Sequence, residues 1–124
     1  MTPAVFAREL AAALAASLPD GFTASADGET ILIETPDGTA VSTSLDIEAD
    51  DIGDFEVYAD EAEGALSLAQ DVVCEALDAT WPVAGDGAVD LPVPGARADD
   101  GMVHLWFGDE DAPVLRLKAI ALVS

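Results

Sequence analysis

Apolar residues recur along the chain with two different periods, and the change from one to the other separates helix from strand. Phe6, Leu10, Leu14 and Leu18 stand four apart, with Ala7, Ala11 and Ser17 beside them, which makes one apolar stripe of a helix over residues 3–18. Thr2 offers a hydroxyl N-cap, and Pro3 suits the first helical position, where a missing N–H costs nothing. Pro19-Asp20-Gly21 ends the helix. From Phe22 the period falls to two, so residues 22–26 and 29–35 predict a hairpin about Asp27-Gly28. After a turn at Pro36-Asp37-Gly38, Val41, Thr43, Leu45 and Ile47 alternate with Ala40, Ser42, Ser44 and Asp46. Three strands joined this way form an antiparallel meander.

Residues 46–63 hold nine carboxylates among 18 positions, interrupted by Ile52, Phe55, Val57 and Tyr58, and predict a loop with at most one short strand. Asp60 and Glu63 fit an N-cap and its capping-box partner. A second helix is therefore expected over residues 61–80, burying Ala62, Leu66, Ala69, Val73, Ala76 and Leu77 and stopping before Pro82. Residues 83–101 mix prolines and glycines without periodicity and predict a connection, with 88–93 as an edge strand. Residues 102–107 and 114–123 then close the chain as an apolar hairpin.

These elements describe one small α+β domain: an N-terminal helix, a three-stranded antiparallel meander, a second helix and a C-terminal β-hairpin, with the helices on one face of an antiparallel sheet. The element order resembles the small secretion-chaperone-like α/β fold, and the resemblance implies an acidic dimer that holds a partner chain. Members of that family usually finish with a helix, whereas a strand is expected at the end of this chain.

Charge narrows the function classes. Among 124 residues, 25 Asp and Glu face four Lys and Arg, a formal net charge of −21, and no basic residue stands between Arg8 and Arg97. A field of that sign repels phosphate backbones and anionic headgroups, so no nucleic acid and no membrane are expected as partners. No apolar run approaches the roughly 20 residues that span a bilayer. The opening residues lack the basic head of a secretory signal, and a cytoplasmic location is the expectation.

Catalytic and metal-binding chemistry has little to build on. Cys74 is the single cysteine and His104 the single histidine, too few for a disulfide or a zinc framework. A calcium loop starting at Asp46 would need glycine sixth and glutamate twelfth, where the chain has Asp51 and Val57. Neither a G-x-S-x-G elbow nor a phosphate-binding glycine loop is present. Asp71, Glu75 and Asp78 near Cys74 oppose a reactive thiolate. The expectation is a protein that is not an enzyme and takes no cofactor.

Three surfaces remain as candidates for partner binding. Asp50, Asp51 and Asp54 with Phe55 and Tyr58 combine dense acid with apolar anchors, which suits a basic protein partner. Arg116 and Lys118 alternate with Leu115, Leu117 and Ala119, placing two of the four basic residues on one strand face, opposite His104 and Trp106. Beyond Lys118, the run through Ile120 and Leu122 is apolar on both faces, which predicts either an uncovered edge, and hence a homodimer or a docked partner, or an edge covered by the 83–101 connection through Val89, Leu91 and Val93. The expected function is a small acidic adaptor, chaperone-like or immunity-type. The alternative is a structural or housekeeping homo-oligomer whose acidity serves solubility or life at high salt.

Overall fold

The computed structural model describes residues 2–48, 50, 53–82 and 91–122. Helix α1 spans Pro3–Ser17, begins where the Thr2 hydroxyl accepts from the Val5 N–H at 3.3 Å, and buries Phe6, Leu10 and Leu14 completely. Strands β1 (Thr23–Asp27), β2 (Thr30–Glu34) and β3 (Ala40–Ser44) form an antiparallel sheet in that order. Asp27 pairs with Thr30, so the turn residues are Gly28 and Glu29, one position later than the expected Asp27-Gly28. Gly28 takes the positive φ of 61° that a two-residue hairpin needs at its first turn position. Ile31 and Ile33 face inward and are fully buried.

Helix α2 spans Phe55–Leu77 and so begins earlier than residue 61. The cap is Asp54, whose carboxylate accepts from the Glu56 N–H at 3.2 Å, while Asp60 and Glu63 are exposed positions inside the helix. The apolar stripe explains the earlier start: Tyr58, Ala59 and Ala62 are buried in helical spacing, and the Tyr58 ring meets Phe6 edge-on at 4.9 Å. At the other end Asp78 adopts the left-handed conformation, and both Ala76 and Leu77, expected in the core, are exposed.

A second antiparallel sheet follows. Strands β4 (Pro94–Asp99), β5 (Met102–Gly108) and β6 (Pro113–Arg116) lie in chain order, and β7 (Ile120–Ala121) pairs with the start of β5. Strand β4 stands where a connection was expected. Its signal is Asp100-Gly101, a two-residue turn with φ of 54° and 75°, both positive as the commonest hairpin turn requires. The edge strand expected over 88–93 is not found: residues 88–90 lie outside the described ones, and residues 91–93 are not in a strand. The strand expected over 114–123 is broken into β6 and β7. Trp106 pairs with Arg116 and Val103 with Ile120, so three steps along β5 match four along its partner, the extra residue of a β-bulge.

The structure has the expected α+β class, with the strands divided between two sheets instead of one. Helix α1 packs on β1 and β2, and α2 on β4 and β5. A single hydrophobic cluster, running from Phe6 and Ile33 to Leu105 and Phe107, joins both helices to the inner faces of both sheets.

Candidate functional site

Alternation along β5 sorts its side chains. Val103, Leu105 and Phe107 are fully buried in the core, so Met102, His104 and Trp106 project from the outer face. Directly paired residues share a face, and the register pairs Arg97 with His104, Gly95 with Trp106 and Trp106 with Arg116. Lys118, two positions beyond Arg116, is exposed beside them. Three of the four basic residues and the single histidine therefore gather on one outer sheet face, around a tryptophan. Arg116 and Lys118 were legible from their alternation. Arg97 was missed because residues 94–99 were not read as a strand.

Trp106 is only 8% exposed although it faces outward. A methyl group added at Gly95 would come within 2.6 Å of the indole, so the ring lies directly over the glycine backbone. Arg97 is saturated: its Nε donates to Glu110 Oε2 at 2.8 Å, its Nη2 lies 2.6 Å from the same oxygen, and its Nη1 lies 3.0 Å from Asp99. Glu110 first and Asp99 second hold this guanidinium above its ordinary pKa. Arg116 donates only to the backbone carbonyl of Glu110, at 2.7 Å, and Lys118 makes no ion pair among the described residues. Met102 and Lys118 also border an open groove of about 580 Å³ whose far wall is Glu9, Ala12 and Ala16 of α1.

The acidic surface divides differently from the expectation. Asp50 and Asp54 are exposed, Phe55 is half-buried, and Asp51 lies outside the described residues, as does Ile52. Tyr58 is 1% exposed, so its side chain is core and offers no accessible anchor; burial, helped by the charge of Glu29, raises its phenol pKa. Asp60, Glu63, Asp71 and Glu75 form an exposed stripe along α2 that carries no basic residue.

The uncovered apolar edge expected of the last strand is not present at Ile120 and Leu122, which are 5% and 4% exposed. Helix α1 packs against β7, and the Leu122 N–H donates to the Gly101 carbonyl at 2.8 Å, which holds the segment against the sheet.

Two smaller sites have internal explanations. Cys74 sits against the Trp81 backbone, accepting from its N–H at 3.3 Å. At the β2–β3 turn, Asp37 accepts from the Thr35 hydroxyl and from the Thr39 N–H at 2.9 Å, and these bonds, the Thr35 one first, lower its pKa to about 2. Among the described residues no group of three or more potential ligands is placed to hold a metal, and no helix is long and apolar enough to cross a membrane.

No family model, curated protein or solved structure matches this chain.

Proposed function

We propose that the protein is a non-enzymatic binding module whose acidic side engages a basic protein partner. The observation that carries this reading is the stripe of exposed carboxylates on α2, with Asp54 at its N-cap and Asp50 in the segment before it also exposed. Like charges three and four apart on a helix oppose it by a few tenths of a kcal/mol per pair. A cationic partner turns that repulsion into attraction and speeds its own encounter by long-range steering.

The test is a titration of a lysine-rich peptide into the isotope-labelled protein, with a glutamate-rich peptide as control. Shifts should gather on the α2 stripe, weaken as salt rises, and disappear when Asp60, Glu63 and Asp71 are changed to Lys. Binding that survives this charge reversal would reject the reading. If no binding occurs and the protein unfolds when salt is withdrawn, the acidity belongs to high-salt adaptation instead.

A further inference from the structure

The cationic face of the second sheet is a separate surface of opposite sign, and its composition is unusual for this chain. Of the four cations only Arg97 is neutralised among the described residues; Arg8 stands alone on α1, whereas Arg116 and Lys118 stand together on one sheet face. Arg116 meets only a carbonyl oxygen, and Lys118 meets no carboxylate among the described residues. Two positive charges with no ion pair among the described residues thus stand beside Trp106, on a face with Met102 and next to the groove against α1. Strand β6 pairs with β5 on one side only, so its outer edge ends the sheet next to these cations.

We propose that this face binds an acidic, extended segment of another protein, placing carboxylates on Arg116 and Lys118 and apolar side chains along Met102 and the groove. Charge complementarity selects the occupant, and the surroundings set its size. Asp99, held by Arg97, and the exposed Asp109 and Asp111 of the β5–β6 turn add negative charge near this face and disfavour a broad anionic surface, whereas an extended segment needs only the β6 edge and the two cations. The net charge of −21 does not forbid the approach, because at physiological salt charges separated by more than about 8 Å are largely screened. A second copy of the chain fits poorly. Its carboxylate stripe runs along α2, which covers the inner side of β4 and β5, while the cations project from the outer side. Self-docking would then be head-to-tail and would not close into a symmetric dimer.

The experiment uses a synthetic peptide alternating glutamate with phenylalanine, and a lysine–phenylalanine peptide as the opposite-charge control. The glutamate peptide should shift amide resonances of Met102, Trp106, Arg116 and Lys118, and an Arg116→Gln, Lys118→Gln variant with an unchanged circular dichroism spectrum should weaken it roughly tenfold or more. An Arg116→Lys, Lys118→Arg exchange should retain binding. The proposal is overturned if the wild type does not bind the glutamate peptide, if the double variant binds it equally, or if the shifts fall on another surface. Sedimentation provides the remaining arm: self-association lost in the double variant would make a second copy the occupant and reject the assignment to another protein.

Discussion

Each sheet carries three residues paired across its middle, and the two rows differ in kind. On the first sheet the outward row is Ser25, Leu32 and Ser42, beside a hydrogen bond of 2.9 Å between the Thr30 and Ser44 hydroxyls. On the second it is Gly95, Trp106 and Arg116. The two exposed serines flank a half-buried Leu32, so the face stays largely solvated and presents a single apolar side chain at its centre. Trp106 lies against the Gly95 backbone and is 8% exposed, so apolar bulk is withdrawn from water on a face whose exposed groups are the charges around it. The first face is therefore a plain exterior, and the second has the makings of a recognition surface.

The comparison holds only if both sheets belong to one cooperative structure, and core truncation tests that with the largest expected effect. Ile33→Ala on the first sheet should cost about 2–5 kcal/mol, and Phe107→Ala on the second about 3–5 kcal/mol, since both side chains are fully buried in the same cluster. Trp81 packs on Phe107 at 5.4 Å, so tryptophan fluorescence reports chiefly on the second sheet. Ile33→Ala should shift the fluorescence transition and the circular dichroism transition together. A fluorescence midpoint that stays in place would mean that the sheets unfold separately.

The middle rows themselves can be exchanged next. Gly95→Val forces a branched side chain into the Trp106 ring and should destabilise by roughly 1–3 kcal/mol. The matching change on the first sheet, Ser25→Val, adds surface at an exposed position and should stay within about 0.5 kcal/mol of wild type. Denaturant melts of the two variants compare them directly, and equal losses would show that the indole does not depend on the glycine beneath it.

The same contrast explains which parts were legible in sequence. The first sheet alternates cleanly because one face is wet, and α1 announces itself through Thr2-Pro3 and a four-residue repeat. On β5 the outward Trp106 is nearly as buried as Leu105 and Phe107 on either side of it, so hydropathy loses its period. Strand β4 begins Pro94-Gly95, residues that argue against a strand, and the signal that defines it is the Asp100-Gly101 turn at its far end. The start of α2 was misplaced because Asp60 and Glu63 imitate a capping box, whereas the working cap is Asp54. Among the candidate residues, Arg116 and Lys118 followed from strand alternation alone. The burial of Tyr58, Ile120 and Leu122 depends on Phe6 and on α1 packing across β7, contacts between residues far apart in the chain.

The hairpin turns offer a smaller effect. Gly101 holds φ at 75° in the second sheet, and Gly101→Ala places a Cβ in the left-handed region at a cost of roughly 1–2 kcal/mol. Asp100 is also left-handed, so the β4–β5 turn has two such positions where the β1–β2 turn has one, at Gly28. Replacing Asp100 by Gly should therefore stabilise slightly, by a few tenths of a kcal/mol, and thermal melts that show a loss would assign the Asp100 side chain a bonding role of its own.

The smallest expected effect concerns pH and belongs to the first sheet. Asp37 at the β2–β3 turn is held as a carboxylate by the Thr35 hydroxyl and the Thr39 N–H, with its pKa lowered from 3.8 to about 2. A carboxylate whose pKa is lower folded than unfolded stabilises the fold above the unfolded value and loses that contribution as pH falls through the folded one. Asp37→Asn keeps an oxygen for the turn but removes the charge, so the variant should be less stable than wild type by a constant amount at neutral pH. That difference should shrink from about pH 4 downward and vanish near pH 2. Absolute stability is no guide in this window, because the other carboxylates are protonated there too and their mutual repulsion fades. The difference between the two proteins cancels that background, and chemical denaturation at several pH values measures it. A gap that persists unchanged at pH 2 would show that the turn depends on the shape of Asp37 and not on its charge.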